Sequence, residues 1–354
     1  MKKYLLLFLF STQVFTAQTI RKYSNEFLNI GVDAAAFGMS KAVVATSNDV
    51  NSVYWNPAGL VNVKNYQGAI MHAEYFEGIA KYDYAAFAMP IDEKSAVGIS
   101  IIRFGVDDIL NTTELIDNEG NIDYNRIRLF SAADYALNLS YARNLNIEGL
   151  NVGLNTKIIR RIIGDFATSW GFGLDAGVQY EKNNYKYGLM LRDITTTFNS
   201  WSIDKTEFEK IQNAIPDQNQ ELPETTEITL PKAQIGVARK FNISKDFNLL
   251  SELDLNLRFT KTNDVISSDF VSIAPALGFQ LDYTDLVYLR AGIGNIQKEL
   301  QFDTITETSI RPNLGMGFKY KGIQIDYALT NIGSVGAALY SNVFSIKVDF
   351  ENFR

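Results

Sequence analysis

The chain contains a single histidine, His72, and the residues around it decide whether a catalytic site is expected. Glu74 lies two positions further on in a strand-like segment, so both side chains are expected on one face. A histidine beside a carboxylate can serve acid–base catalysis, but no nucleophile-elbow serine motif accompanies this pair. The absence of cysteine from the sequence excludes a disulfide framework and a thiolate metal site. We therefore predict that the protein is not an enzyme and has no catalytic residue, metal or cofactor.

Charged residues also recur at every second position of several apolar segments. In residues 249–260, the apolar side chains Leu253, Leu255, Leu257 and Phe259 alternate with the polar side chains Glu252, Asp254, Asn256 and Arg258. Asp326 and Lys347 have the same setting in segments 323–327 and 344–350. Successive side chains of a strand point to opposite faces, so each segment is predicted to be a strand with one apolar and one polar face.

The lengths of these strands and the spacing of the turns predict a membrane barrel rather than a soluble sandwich. The alternating runs extend over about 10 to 14 residues, whereas soluble strands average about 5 to 6 and tilted membrane strands need about 9 to 11. About 14 strands fit between residues 63 and 354, with tight turns at one end and long loops, such as 106–131 and 194–230, at the other. The predicted fold is all-β, a closed transmembrane antiparallel β-barrel.

In such a barrel the charged faces of the strands are expected to line the lumen. Placing a basic side chain against the lipid costs about 2–4 kcal/mol, so the polar face must point inward. We predict that the inward side chains form a lumen polar network that pairs internally or holds another segment of the chain. Its members are Glu252, Asp254, Arg258, Asp326 and Lys347. A narrow lumen filled with paired charges speaks against an open pore.

The N-terminus has the pattern of a secretory signal peptide. Met1, Lys2 and Lys3 form a short basic start, residues 4–10 are apolar, and Ala17 supplies a small residue at the end. The apolar stretch is shorter than the ~18 residues of a membrane-spanning helix. We predict a signal peptide over residues 1–17 and localisation in the outer membrane. The formal charge of -7 makes nucleic acid an unexpected partner.

Residues 18–62, between the signal peptide and the first strand, are too many and too apolar for a simple tether. They end in the stretch Tyr54, Trp55, Asn56, Pro57, Ala58 and Gly59, which places two large aromatics directly before residues that break regular structure. We predict that this segment folds into the lumen as a hatch, with the two aromatics wedged inside and the following turn leading back to the wall. A periplasmic knob and an N-terminal strand extension are the alternatives.

This combination resembles the FadL superfamily of outer-membrane proteins, and more closely the PorV/PorQ family associated with type IX secretion. The small-residue run at 31–45 and the motif at 54–60 precede the predicted barrel, as they do in that family. The resemblance implies a fourteen-stranded barrel plugged by an N-terminal hatch. By position, it assigns the family's Asn-Pro-Ala motif in that hatch to Asn56, Pro57 and Ala58.

The resemblance implies two alternative functions for a barrel surrounded by outer-membrane lipid. PorV-type barrels bind the signal domain of secreted proteins and act with the type IX translocon, so the expected partner is a translocon component or that signal domain. FadL-type barrels pass hydrophobic small molecules across the membrane. We expect the first function, with the partner bound at the extracellular face, and keep the second as the alternative.

The loop at 204–227 is the candidate partner-binding surface, because it is long and rich in acidic residues. Thr206 and Glu209 have the spacing of a capping box, which predicts a helix with Thr206 as its N-cap. Phe208, Ile211 and Ile215 follow at helical spacing and are expected to form its apolar side. The alternative is that this helix only covers the mouth of the barrel.

Overall fold

The computed structural model describes residues 24–117, 119–214, 222–300, 306–330 and 341–353. The predicted signal peptide, residues 18–23 of the predicted hatch, and Ile215 lie outside these ranges. The described ranges contain three short α-helices, α1 (Ala34–Gly38), α2 (Ser52–Trp55) and α3 (Lys205–Ala214). The same ranges contain four 3-10 turns, at Glu26–Asn29, Pro57–Asn62, Tyr124–Arg126 and Phe350–Phe353. None of the helices in the described ranges is long and apolar enough to cross a membrane.

The rest of the described chain is largely β-structure. The strand segments are β1 (Gln67–Tyr75), β2 (Ala80–Asp92), β3 (Ser95–Asn111), β4 (Arg128–Asn144), β5 (Leu150–Ile163), β6 (Ala167–Lys182), β7 (Tyr185–Arg192), β8 (Thr197–Ile203), β9 (Thr226–Thr229), β10 (Lys232–Asn242), β11 (Phe247–Arg258), β12 (Ile266–Ser267), β13 (Ser272–Tyr283), β14 (Val287–Leu300), β15 (Thr306–Tyr320), β16 (Ile323–Thr330) and β17 (Ser341–Asp349).

These segments form one closed antiparallel sheet. Strands that neighbour each other around the wall are paired antiparallel, and β1 pairs both with β2 and with β17, which closes the ring. The segments β7 and β8 lie end to end along β6, and β10 and β9 lie end to end along them. The two-residue segment β12 pairs only with the start of β13 and is not counted as a strand of the wall. With β7 and β8 counted as one strand, and β10 and β9 as another, the wall has fourteen strands. Closure satisfies the backbone groups of every strand edge, which a lipid environment requires, and the predicted barrel is confirmed.

The two faces of the wall carry the alternation seen in the sequence. On β11, Glu252 and Asp254 are fully buried in the lumen, whereas Leu253 between them is 41% exposed on the outside. On β17, Ser345 is buried and Phe344 is exposed. On these two strands, apolar side chains therefore face the surroundings of the barrel and polar ones face its interior. This inversion of a soluble core is typical of an outer-membrane barrel.

The boundaries predicted for the loop at 194–230 are wrong, because both ends of that range belong to the wall. β8 pairs with β6, and β9 pairs with β8. Asp193 and Thr196 have φ values of 56° and 60°, in the left-handed region, and they separate β7 from β8. This break interrupts the two-residue period, so the sequence pattern does not continue through it. The extracellular excursion is limited to the residues between Ile203 and Thr226.

Candidate functional site

Residues 24–62, here called the hatch, lie within the barrel. The apolar side chains of the hatch include Val32, Phe37, Val50, Val53 and Leu60, and all of these are 0% exposed. Helix α1 contacts β14 to β17, whereas the turn Pro57–Asn62 contacts β3 to β6 on another part of the wall. The hatch therefore extends across the lumen and packs against widely separated strands.

Asn56 and Pro57 tie the end of the hatch to the wall. Asn56 is fully buried, and its Nδ2 donates to the carbonyl oxygens of Val44 at 2.9 Å and of Val178 on β6 at 3.2 Å. The Asn56 Oδ1 accepts from the backbone N–H of Ala58 at 3.2 Å and so caps the turn that Pro57 begins. One asparagine thus joins three backbone segments. These contacts require a side chain that both donates and accepts hydrogen bonds, as an amide does.

Tyr54 and Trp55 fill space in the lumen and also form hydrogen bonds within the hatch. The Tyr54 hydroxyl donates to the Leu28 carbonyl at 2.5 Å, and the Trp55 Nε1 donates to the Val32 carbonyl at 3.1 Å. Their rings meet edge to face with centroids 4.8 Å apart. The Arg192 guanidinium of β7 lies 4.7 Å from the centre of the Tyr54 ring. The pair therefore links the start of the hatch to its end and to one side of the wall.

Two lumen carboxylates of β11 bind the backbone of the hatch. The backbone N–H groups of Val43 and Val44 donate to Asp254 Oδ2 at 3.0 and 3.1 Å. Glu252 accepts from the Ala45 N–H at 2.6 Å and from the Thr46 hydroxyl. Four neighbouring donors of a non-helical segment are satisfied in this way. Without these side chains they would be buried with no partner.

The other members of the predicted lumen network lie in separate groups. Lys347 Nζ is 2.7 Å from Asp49 Oδ2 and 3.6 Å from Asp33 Oδ2, both of which belong to the hatch. Asp326 instead pairs with Arg290 at 2.7 Å, and Arg258 lies 3.7 Å from Asp264. The five residues thus do not form one network; two of them bind hatch backbone, one binds hatch carboxylates, and two pair with other barrel residues.

The electrostatics of the Lys347 contact are set by two opposed effects on Asp49. Burial favours the neutral carboxylic acid, whereas the nearby Lys347 ammonium favours the carboxylate. The attraction to Lys347 and its hydrogen bond prevail, so the pKa of Asp49 is lowered from its ordinary value. Asp49 is therefore ionised near neutral pH, and the contact is an ion pair.

A set of inward-facing glycines, not recognised in the sequence, lets the hatch approach the wall. A Cβ atom added at Gly278 would lie 2.7 Å from the Met39 carbonyl oxygen, and one at Gly292 would lie 2.6 Å from the Ser40 nitrogen. These distances are shorter than any side chain could accept without movement of the backbone. Gly153, Gly177, Gly188, Gly236 and Gly315 make comparable approaches to other hatch residues. Glycine in a strand often marks such a close backbone approach.

Among the described residues, two larger cavities of the lumen lie on opposite sides of the hatch. The periplasmic cavity, of about 460 Å³, is lined by residues near the tight turns, including Asp285 and Gly322. The extracellular cavity, of about 280 Å³, is lined by Lys41, Tyr54 and Arg258 among others. Charged and amide side chains are frequent in both linings.

Helix α3 stands at the extracellular end, but it begins differently from the prediction. Asp204 Oδ1 accepts from the N–H groups of Thr206 and Glu207 at 2.9 and 3.0 Å, so Asp204, and not Thr206, caps the helix. Phe208 and Ile211 are half-buried on α3. Lys210 Nζ lies 3.9 Å from Glu114 Oε2 of the loop after β3.

His72 lies on the outer surface of β1. Its Nδ1 is 2.7 Å from Asp83 Oδ1 on β2, and its Nε2 is 3.8 Å from Glu74 Oε1. The three side chains are each about half exposed. Within the described ranges, no group of three or more histidine, aspartate or glutamate side chains is placed to hold a metal ion.

A closed antiparallel barrel of fourteen strands with an apolar outer band is an outer-membrane β-barrel. The chain belongs to the PorV family, since the family described as type IX secretion system protein PorV matches residues 15–213, more than half of its length. No curated protein matches the chain.

Several solved structures share the fold at low sequence identity. A FadL homologue from Pseudomonas aeruginosa matches with a TM-score of 0.52 and 12% identity over 90% of this chain and 98% of its own. The CymD monoaromatic hydrocarbon channel matches with a TM-score of 0.56 and 12% identity over 90% and 97%. The toluene transporter TodX from P. putida matches with a TM-score of 0.54 and 12% identity over 90% and 99%. These likenesses concern the FadL-type fold alone.

Proposed function

We propose that the protein binds a protein partner at its extracellular face and does not conduct solutes. The partner is the signal domain of a secreted protein or another component of the type IX secretion system. The observation that carries this proposal is the hatch, which crosses the lumen and is bonded to the wall on several sides. Membership of the PorV family supports the choice of partner. The proposed activity is binding, not catalysis.

The contacts of the hatch favour a fixed plug. Asn56 bonds it to β6, Glu252 and Asp254 bond it to β11, and Lys347 bonds it to β17. A buried hydrogen bond contributes about 0.5–1.5 kcal/mol net, so releasing the whole hatch would cost several such contributions together. Continuous passage of solute through the lumen would require that release in every cycle.

The loop that contains α3 supports binding at the extracellular end. Between residues 204 and 225, the sequence of this loop has six acidic side chains and two lysines. Glu209 and Glu224 are exposed there, while Phe208 and Ile211 are half-buried. Acidic charge accelerates the approach of a basic partner, and apolar side chains supply the affinity once the partner is in contact.

A second candidate function is the passage of hydrophobic small molecules through the wall. The observation that favours it is the break between β7 and β8, where Asp193 and Thr196 interrupt the strand opposite Leu230 and Pro231. An interrupted hydrogen-bond ladder is a weak point at which a wall can open. Against this function, sites for apolar ligands are mostly apolar, whereas both lumen cavities here are lined by many charged groups.

The test is replacement of residues 204–224 by a short Gly-Ser linker in the protein purified from native membranes. Thr226 pairs with Ser200 of β8, so the replacement stops before the wall segment β9. The expected result is loss of co-purifying protein with the barrel still assembled and still heat-modifiable on gels. A matched control replaces residues 117–121 of another extracellular loop and should retain the partner.

A second variant tests the charge of the loop without deleting the loop. Glu209→Lys with Glu224→Lys changes two exposed charges and leaves the Asp204 cap intact. We expect weaker recovery of the partner and a smaller dependence of that recovery on salt. The proposal is wrong if the deletion leaves the bound proteins unchanged while the purified barrel retains an apolar small molecule.

A further inference from the structure

The extracellular cavity carries an unbalanced charge. Its lining contains four cationic side chains and one carboxylate: Lys41, Arg192, Lys232 and Arg258, with Glu26. The lining of the periplasmic cavity contains five cationic and five carboxylate side chains. The excess of positive charge is therefore confined to the side of the hatch that faces the cell exterior.

Two of the four cations have carboxylate partners. Lys232 Nζ lies 3.7 Å from Glu26 Oε1, and Arg258 Nη1 lies 3.7 Å from Asp264 Oδ2. Both distances are long for an ion pair, so neither partner saturates its cation. A planar guanidinium has five N–H donors, and Asp264 meets Arg258 through one nitrogen only.

Arg192 is held by uncharged groups. It donates from Nη2 to the Tyr54 carbonyl and from Nε to Gln234 Oε1, both at 2.9 Å. The same guanidinium stacks on the Tyr54 ring. Its Nε and Nη2 donors and its stacking face are thus committed to Gln234 and the hatch, and we assign it no further ligand.

Lys41 is the cation with the least compensation. Its Nζ donates to the Asn29 carbonyl oxygen at 3.3 Å and has no carboxylate within 4.0 Å in the described part of the chain. Burial, and then the positive charge of Arg258, lower the pKa of Lys41 to about 8. An anion between Lys41 and Arg258 would relieve both effects, since it would neutralise the repulsion and favour the protonated amine.

The size and the walls of the cavity restrict this anion. A volume of about 280 Å³ accepts a small molecule or the end of a chain, not a folded domain. Ala274 and Ala276, on the inward-facing side of β13, also line the cavity and carry no competing charge. The guanidinium fork matches the two oxygens of a carboxylate, and the lysine adds a point charge beside it.

We propose that the extracellular cavity binds a carboxylate group between Lys41 and Arg258, with Lys232 beside them. The carboxylate belongs either to a small organic acid or to the C-terminus of a polypeptide that reaches into the barrel mouth. The two sources share the recognised chemistry and differ in what lies outside the cavity. This site does not depend on the function proposed above, since it requires neither α3 nor a moving hatch.

The experiment measures calorimetric binding to the full-length protein in detergent micelles. The probes are an N-acetylated tetrapeptide with a free C-terminal carboxylate, the same peptide amidated, and sodium acetate. We expect the free peptide or acetate to bind and the amidated peptide not to bind. Lys41→Gln and Arg258→Gln should each weaken binding by about tenfold or more. If the free peptide binds at least about tenfold more tightly than acetate, the natural ligand is a polypeptide terminus. Equal affinities for the two probes identify a small acid.

The matched control is Lys319→Gln, which removes a cation from the periplasmic cavity and should leave the affinity unchanged. Heat-modifiability on gels verifies that each variant is assembled. Equal binding of the free and amidated peptides would overturn the site, as would failure of both the free peptide and acetate to bind. Full affinity in both cavity variants would overturn it too.

A pH series tests the part assigned to Lys41. The charged groups that line this cavity or pair with its cations are Glu26, Arg192, Lys232, Arg258 and Asp264. Affinity of the unaltered protein should fall about tenfold between about pH 7 and about pH 9, as Lys41 loses its proton. Lys41→Arg keeps its charge over this range and should show a nearly flat profile. An equal fall in that variant would show that another group controls the affinity.

Discussion

The Lys347 ammonium on the last strand lies 2.7 Å from the Asp49 carboxylate of the hatch, and this contact spans almost the whole chain. Asp33, also in the hatch, lies 3.6 Å from the same ammonium. One barrel lysine thus contacts two hatch carboxyl groups, and the lysine side chain is only 14% exposed. The last strand of the barrel and the hatch are therefore joined directly at this residue.

Replacing Lys347 by Met should loosen the hatch without unfolding the barrel. Removing one partner of a buried pair costs about 3–5 kcal/mol, because the remaining charges are left uncompensated. We expect faster hydrogen exchange and new protease cleavage between Asp33 and Asp49. The double variant K347M/D49N also removes the unpaired charge of Asp49, so it should recover part of the protection of the hatch against exchange and cleavage. Lys319→Met serves as the control, and equal loosening in that variant would contradict the role of Lys347.

The same contact predicts a pH dependence. Because the pKa of Asp49 is lowered in the folded protein, the ion pair is fully present above the ordinary aspartate pKa of about 4. Its contribution is lost as the pH falls through the lowered value. Exchange of the hatch amides should therefore stay slow near neutral pH and rise only in acid. In K347M this acid-dependent rise should be reduced, and an unchanged profile would show that the rise has another origin.

Glu252 and Asp254 predict a more local effect. Substituting both by Ala leaves the donors of residues 43–46 without acceptors, at a cost of about 1–3 kcal/mol for each buried group. We expect this segment to become cleavable by protease while the barrel remains heat-modifiable on gels. Glu224→Ala, at an exposed position, is the control. Resistance of the double variant to cleavage would mean that apolar packing alone fixes this part of the hatch.

Much of the barrel follows from the sequence because strand alternation is a local property. The alternating segments 249–260, 323–327 and 344–350 correspond to the observed strands β11, β16 and β17. The prediction fails at Asp193 and Thr196, where left-handed backbone separates two collinear segments. No hydrophobic period can continue across such a break.

The hatch contacts are less predictable because they join distant parts of the chain. The Val43 N–H and the Asp254 carboxylate are 211 positions apart, and nothing in the local pattern pairs them. The alternation does predict that the Asp254 side chain faces the lumen, but it does not predict which backbone N–H groups donate to it. The inward glycines were missed for a similar reason, since glycine weakens a strand pattern and shows its use only where another backbone approaches.

Those glycines predict how a small substitution would displace the hatch. Gly278→Val would place side-chain atoms where the Met39 carbonyl lies, whereas an added Cβ at Gly68 meets its nearest atom, a Phe350 ring carbon, at 3.4 Å. We expect Gly278→Val to raise the conductance of the barrel in planar bilayers and Gly68→Val to leave it near that of the unaltered protein. Both variants should still assemble. Identical recordings for the two variants would mean that the wall adjusts without moving the hatch.

The aromatic pair gives the most direct test of the seal. Replacing Tyr54 and Trp55 together by Ala removes the hydrogen bonds to the Leu28 and Val32 carbonyls and the stacking surface of Arg192. Truncating large buried aromatic side chains typically costs about 3–5 kcal/mol each, and here that cost falls on the hatch, because the strands close without it. We expect an assembled barrel with increased conductance and increased hydrogen exchange in residues 28–32. Replacing Tyr54 by Phe keeps the ring and loses only the hydroxyl, so it should remain nearly closed. If the double Ala variant is as closed as the unaltered protein, the seal lies in the Glu252, Asp254 and Lys347 contacts and not in these aromatics.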